Sequence, residues 1–531
     1  MNVQKNNSIQ MAMQGAFILT VAGIITKILS AIYRVPYQNI VGDIGFYIYQ
    51  QVYPLYGMSV ILATSGFPVM VSKVMMEYGY GKSNQVRSKI LTVSFFYIFI
   101  SSFILSVILF FCADEIAMIM GDYQLTPLIQ ITSLAFIFTP FISTLRGYFQ
   151  ADQSMHPTAI SQVIEQGIRV SVILISSYFL IRAGYNFYEA GFGALVGSIV
   201  GSIAAFCCLF YIWWKRGESK NIKWTFTRSP SISSKKIIIS LLKYSWTICI
   251  SSLLLILIQL IDSLNLYTLL VENGMDSNVA KETKGIYDRG QPLIQLGTVV
   301  ATSLALSLVP LIATAKVRND YKLIKEKLNL SIKLCVFIGA GAAAGLIAII
   351  KPANVMLFTN YSGSSVLMIL SSSILFTSLS LTLFAVLQGL GLVYMPALAV
   401  IIGVISKYYL NEFLITHYGI NGAAVSSVLS YMIVTFITFL YLVKKGYLFQ
   451  EYKEILKISL SCVLMVSVVT GVYYVFDLFL NLENRLQATY VTFILVFIGA
   501  IIYIATCLKI AVFTKEELRY IPIIKKFANM K

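Results

Sequence analysis

Apolar runs of about 20 residues or more follow one another along almost the whole chain, separated by short polar connections. The ten-residue alternation of a membrane barrel is not visible. A helix needs about 20 apolar residues to cross a bilayer. The pattern therefore predicts an all-α integral membrane protein with 14 transmembrane helices, at 11–33, 44–74, 89–112, 125–147, 158–181, 189–214, 240–270, 286–315, 328–351, 365–391, 395–414, 419–443, 455–477 and 488–510. The first run is long and no small-residue cleavage site follows it, so it reads as a span rather than a leader.

The runs repeat. PLYGMSVILATS at Pro54–Ser65 matches PLIQLGTVVATS at Pro292–Ser303, an offset of 238. Gln150 and Gln388 share that offset, as do Arg169 and Lys407, while GALVGS at Gly193 pairs with GAAVSS at Gly422 at 229. The order of these matches predicts two pseudo-symmetric six-helix lobes, an N-terminal one at 1–214 and a C-terminal one at 240–443, joined by a basic cytoplasmic linker at 215–239. Residues 444–531 add two further helices and a basic cytoplasmic tail. Six spans return each copy to its starting side, so the lobes are parallel about an axis along the membrane normal. Alternating-access transporters use this arrangement.

Composition sharpens the class. The 531 residues are 58% hydrophobic and 12% charged, with a mean hydropathy of +0.79, too little charge for a soluble surface of this size. Most of the 40 Lys and Arg fall on one side of the predicted membrane. The opposite connections hold Arg182, Lys281, Lys284, Lys351 and Arg485. By the positive-inside rule both termini are cytoplasmic, and the net charge of +17 is largely a basic skirt facing anionic membrane lipid. Nucleic acid is excluded as a partner, because the cations are split among short loops. The seven cysteines lie within or at the ends of apolar segments, and the two histidines in separate connections. Neither a disulfide framework nor a metal site is expected.

The remaining cations, Lys27, Arg34, Arg169, Arg289 and Lys407, fall inside apolar segments or beside their breaks, with Glu165, Asp262 and Asp288 as nearby acids. In ITKILSAIYRVP, Ile25–Pro36, Lys27 and Arg34 are seven residues apart and share a helix face. A cation at the bilayer centre costs roughly 2.5–3.5 kcal/mol. Snorkelling to the interface would explain Arg34 near the end of its span, and Lys27 less well. Glu165 and Arg169, at i and i+4, are placed to neutralise each other. Asp288 and Arg289 are adjacent and point to different sides. The excess is positive, which suits an anion, and phosphate is the common multivalent anion on a lipid. Gln50, Gln51, Gln259, Gln291, Gln295 and Asn265 suit sugar hydroxyls, or serve as glue between helices. Pro36, Pro54, Pro68, Pro292 and Pro310 read as hinges or as packing kinks. The GAGAAAG run, Gly339–Gly345, reads as close helix packing.

The stretch TKILSAIYRVPYQNIVGDIGFYIYQQVYPLYGMSVILATSGFPVMVSK (26–73), with YDRGQPLIQLG (287–297), resembles the MurJ and stage V sporulation protein B branch of the multidrug/oligosaccharidyl-lipid/polysaccharide (MOP) exporter superfamily. The resemblance implies a flippase for lipid-linked cell-wall precursors such as lipid II, with cavity cations at Lys27, Arg34 and Arg289. Arg169 and Gln291 are further candidates for substrate binding. Lys27 stands where the family often has arginine, which keeps charge but loses a bidentate phosphate contact. Span 2 lacks the acid and arginine found in the proteobacterial branch. Some relatives bind sodium through acids on spans 7 and 11. Asp262 is one such candidate, whereas Lys407 would replace the ion as a tethered cation. Glu165, Asp262 and Lys407 are thus the candidates for sodium or proton coupling or for a charge switch, and no other cofactor is implied.

The expected partners are a lipid-linked oligosaccharide, anionic lipids and cell-wall synthesis proteins, with the monomer as the working state. Three alternatives compete. A cation-coupled multidrug exporter would want more carboxylates than Glu165 in the first half. A membrane glycosyltransferase would need an acidic domain outside the bilayer. A non-transporting scaffold for wall or spore-coat assembly would have no use for buried cations.

Overall fold

A computed structural model of the protein describes residues 18–79, 81–218, 232–447, 449–514 and 517; in the helix Gly290–Val317 the side chains of 302, 304–311, 314 and 317 lie outside the described residues. So do residues 11–17 of predicted span 1, residues 219–231 of the linker, and residues 518–531 of the basic tail. Among the described residues the elements are helices and no strand occurs. Among the described residues, eleven helices are long and apolar enough to cross a membrane. The protein is an all-α integral membrane protein.

Two of the eleven are too long for one crossing. Ile18–Gly79 holds 62 residues and Tyr394–Lys444 holds 51. At 1.5 Å per residue these reach about 93 and 77 Å, against a hydrocarbon layer of about 30 Å. Each is broken at a glycine, Gly42 (φ 70, ψ −177) and Gly419 (φ 56, ψ −138). A backbone with positive φ carries no steric penalty only where the Cβ is missing. The breaks fall where the sequence predicts that spans 1 and 2, and spans 11 and 12, meet.

Smaller interruptions shape single spans. Pro54 lies inside Arg34–Ile61, where it withholds the N–H that the preceding turn would accept. Five residues of π-helix, Leu62–Gly66, follow before Phe67–Gly79 begins with Pro68 in its first turn. Predicted span 7 carries a matching π-turn at Ser245–Cys249 between Ser234–Tyr244 and Leu254–Glu272. Pro36 falls in the first turn of Arg34–Ile61 and Pro292 in the first turn of Gly290–Val317, positions whose N–H groups have no partner within the helix. Pro310 belongs to the same helix, and its side chain lies outside the described residues.

The chain packs as two compact units. One runs to Asp288 and takes in Pro396–Ala423; the other comprises Arg289–Met395 and continues from Ala424. These units are defined by packing, whereas the six-helix lobes are defined by sequence repeat, and the boundaries differ. In the first unit the helix Ser277–Asp288 lies on the turn at Gly42. A Cβ on Gly285 would sit 2.1 Å from the Asp43 carbonyl oxygen, so only glycine permits the approach. In the second unit Ser364–Gly389, Tyr452–Phe479 and Arg485–Lys509 pack around Tyr321–Phe358. The GAGAAAG run fits this role: a Cβ on Gly341 would meet the Tyr503 ring at 2.6 Å, and the Tyr503 hydroxyl donates to the Phe337 carbonyl at 2.6 Å.

Candidate functional site

The first unit buries two arginines in a box of tyrosines. Arg34 is 2% exposed and Arg169 is 1% exposed, so Arg34 does not snorkel to the interface. The Arg34 guanidinium lies 4.4 Å over the Tyr53 ring. Arg169 lies 5.8 and 5.4 Å over Tyr33 and Tyr56, and donates to the Tyr56 hydroxyl at 3.2 Å and to Ser30 Oγ at 3.4 Å. The Tyr33 and Tyr49 hydroxyls bond to each other at 2.8 Å. Tyr33, Tyr49, Tyr53 and Tyr56 come from spans 1 and 2, and the spacing of 49, 53 and 56 stacks three rings on one helix face. Among the described residues no carboxylate reaches either guanidinium, and Arg34 Nε, Arg169 Nε and the Tyr37 hydroxyl lack hydrogen-bond partners. Lys27, about two helical turns before Arg34 on the same face of span 1, is half-buried.

The other buried charges of this unit are paired, and here one sequence expectation is corrected. Glu165 does not neutralise Arg169. Its Oε2 accepts from Arg146 Nη2 at 2.7 Å, while Arg146 also donates to Ser161 Oγ at 3.0 Å and to the Ala63 carbonyl at 3.0 Å. An i,i+4 spacing offers a contact, but a neighbouring helix can supply a guanidinium with better geometry. The sequence placed Arg146 at the cytoplasmic end of span 4; it is fully buried. Lys284, counted among the outer connections, is 1% exposed and bonds Asp288 Oδ2 at 2.7 Å.

Asp262 and Lys407 meet. Lys407 Nζ lies 2.7 Å from Asp262 Oδ1 and 3.1 Å from the Ala423 carbonyl. Asp262 also accepts from Tyr287 at 2.8 Å and from Asn411 at 3.0 Å, and Asn411 reaches Asn265 at 2.8 Å. The ammonium thus rests against a carboxylate and a backbone carbonyl oxygen. Gln51, from span 2, donates to the Ser263 carbonyl nearby at 2.7 Å.

A fourth group was not singled out from the sequence. Asp122 accepts from Lys281 at 2.9 Å and from Tyr188 at 2.6 Å, and Lys281 bonds the Tyr188 hydroxyl at 2.7 Å, with the Tyr47 and Tyr267 rings at 6.0 and 5.9 Å. Asp122, Tyr188 and Lys281 come from connections far apart in the chain. Only the polar character of each loop was available to reveal them.

In the second unit Arg289 is fully buried. It donates to Asn360 Oδ1 at 2.8 Å and Asn354 Oδ1 at 3.3 Å, with the Phe358 ring at 5.1 Å. The backbone breaks at Arg289 between the helices Ser277–Asp288 and Gly290–Val317. Asp288 and Arg289 therefore face different partners, as their adjacency predicts. Gln291 is buried beside it in sequence.

Comparison with known proteins gives this architecture a class. A family model described as polysaccharide biosynthesis protein matches residues 12–316. The uncharacterized membrane protein YabM of Bacillus subtilis (strain 168) is 44% identical over 517 residues, covering 97% of this chain and 96% of its own. The lipid II flippase MurJ of the same organism is 26% identical over 519 residues, covering 93% and 94%. A solved structure of lipid II flippase MurJ in an inward closed conformation superposes with a TM-score of 0.65 at 17% identity, covering 94% of this chain and 99% of that one. The protein is MurJ-like in fold. It belongs to the polysaccharide biosynthesis protein family.

Proposed function

We propose that the protein is an alternating-access flippase carrying a lipid-linked cell-wall saccharide precursor, lipid II or a similar polyprenyl-pyrophosphate sugar, from the inner to the outer leaflet of the bacterial plasma membrane, with both termini cytoplasmic. The observation that carries this reading is the charge imbalance in the tyrosine box. Arg146, Lys284, Lys281 and Lys407 each have a carboxylate, whereas among the described residues none is ion-paired with Arg34 or Arg169, whose Nε–H groups are unpartnered. Two uncompensated guanidiniums at membrane depth are expensive, and a phosphate group offers the bidentate acceptor that repays them. The tyrosine faces suit sugar rings. Glu165, the acid a cation-coupled drug exporter would need, is already spent on Arg146. In the second unit Arg289, backed by two asparagines, is a further anion donor.

The test is a proteoliposome flip assay with lipid II, normalised to folded protein. Charge-assisted hydrogen bonds are worth about 1.5–3 kcal/mol, so Arg34→Ala and Arg289→Ala are each expected to slow flipping about tenfold or more, with Arg34→Lys and Arg289→Lys intermediate. Wild-type flipping per folded molecule by both alanine variants refutes the anion site.

A further inference from the structure

At one end of the first unit, segments of the two sequence repeats are joined through a single carboxylate oxygen. Asp122 is 5% exposed. Its Oδ2 accepts from Lys281 at 2.9 Å, from Tyr188 at 2.6 Å and from Tyr47 at 3.4 Å. Asp122, Tyr47 and Tyr188 belong to the first repeat, and Lys281 belongs to the second. The same segments meet closely around this oxygen. The Tyr47 and Tyr267 rings lie 5.4 Å apart, and a Cβ on Gly121 would stand 2.7 Å from Thr268 Cγ2. Gly121 from the first repeat and Gly285 from the second thus both permit the approach. Tyr47 lies on the helix Arg34–Ile61, about 3–14 Å along its axis from Tyr49, Tyr53 and Tyr56. The junction therefore lies beyond the tyrosine box, towards the side that the positive-inside rule makes external.

The chemistry of this junction suits one that opens. A permanent contact is served as well by apolar packing, since replacing a buried ion pair with packed hydrophobic groups is often neutral or stabilising. A carboxylate, an ammonium and phenol hydroxyls differ in what happens when the surfaces part. Water hydrates each of them, so much of the cost of separation is recovered. Breaking the network from one side only, by contrast, strands a buried charge. We propose that Asp122 and Lys281 form an outer latch: the pair holds the two repeats together beyond the tyrosine box, and it separates when the box opens outward. The latch rests on the alternating-access reading and is independent of which cargo is carried.

The test reads a distance and needs no cargo. Spin labels are placed by Tyr123→Cys and Val279→Cys, at exposed positions beside the two partners. The background carries Cys112→Ala, Cys207→Ala and Cys208→Ala and keeps the four buried cysteines. Double electron–electron resonance in nanodiscs then shows mainly one short separation. Asp122→Asn and Lys281→Met are each expected to add a longer one, with the ratio of long to short rising about 100-fold, the effect of stranding one buried charge. The double variant D122N/K281M strands neither and brings the ratio back by about tenfold or more. Arg87→Met, which breaks the ion pair to Asp152 at the opposite end, leaves the distances unchanged. A single short separation in both single variants shows a static brace and overturns the proposal. A longer separation that Arg87→Met produces equally shows general loosening and overturns it too. Loss of lipid II flipping as the function, with the long separation still appearing in Asp122→Asn, removes the cargo reading and supports the latch.

Discussion

Replacing Lys407 with methionine isolates what the tethered cation does. The side chain keeps its length and loses its charge, leaving Asp262 buried without its ammonium 2.7 Å away. Removing one partner of a buried ion pair costs about 3–5 kcal/mol, because the remaining charge is stranded. Here Tyr287 and Asn411 still donate to the carboxylate, at 2.8 and 3.0 Å, so the lower end, about 3 kcal/mol, is expected. Asp262→Asn removes the negative charge facing Lys407, which keeps the Ala423 carbonyl at 3.1 Å, and costs a similar amount. The double variant strands neither charge and recovers about 2 kcal/mol or more of the summed loss. Equilibrium unfolding in mixed micelles measures all four corners of the cycle. Single-variant losses that add to within about 0.5 kcal/mol refute the coupling. A second readout follows from the same geometry. In Lys407→Ala the oxygen donors lose their resident cation, so sodium should raise the unfolding midpoint of this variant and leave the wild type unchanged. Equal sodium stabilisation of both shows that Lys407 does not stand in for an ion.

Two further outcomes follow from packing and charge. Gly285→Ala places a methyl 2.1 Å from the Asp43 carbonyl oxygen; backbone must move, and unfolding should become easier by about 1–3 kcal/mol, as overpacking costs, with an unchanged unfolding midpoint as the refuting result. Burial pushes the Glu517 carboxyl up, but Lys333, 2.8 Å away, and the Thr514 N–H pull it below the ordinary glutamate value of 4.5; a depressed carboxylate stabilises the fold above that value and loses its effect as pH falls through the lower folded one. The thermal midpoint of Glu517→Gln should therefore lie below wild type at pH 7, and the gap should close on acidification; a gap that is the same at both ends removes the pair from the stability of the second unit.

The sequence determined the membrane fold of this protein, and did so for a simple reason. Without water, backbone groups are satisfied only within a helix, so length and hydropathy are enough to place spans such as 455–477, found as Tyr452–Phe479. It also marked Lys27, Arg34, Arg169, Arg289 and Lys407 as cations within or beside apolar runs, since a charge in an apolar run is conspicuous wherever its helix points. It did not determine partners. Glu165 had Arg169 one turn away on its own helix and Arg146 on another, and the choice depended on the rotation of two helices about their axes, which hydropathy does not encode. The same holds for Lys284, which reads as a loop lysine until the close approach at Gly285 buries it beside Asp288. Asp122 and Lys281 are 159 residues apart, with no periodicity to connect them. Pairing then sorted the charges: it set Glu165, Asp262 and Asp288 against lysines and Arg146, and among the described residues it left Arg34 and Arg169 without an ion-paired carboxylate. Helical periodicity fixes neighbours three and four residues away, whereas an ion pair across helices is fixed only when packing brings both side chains out of water at the same depth.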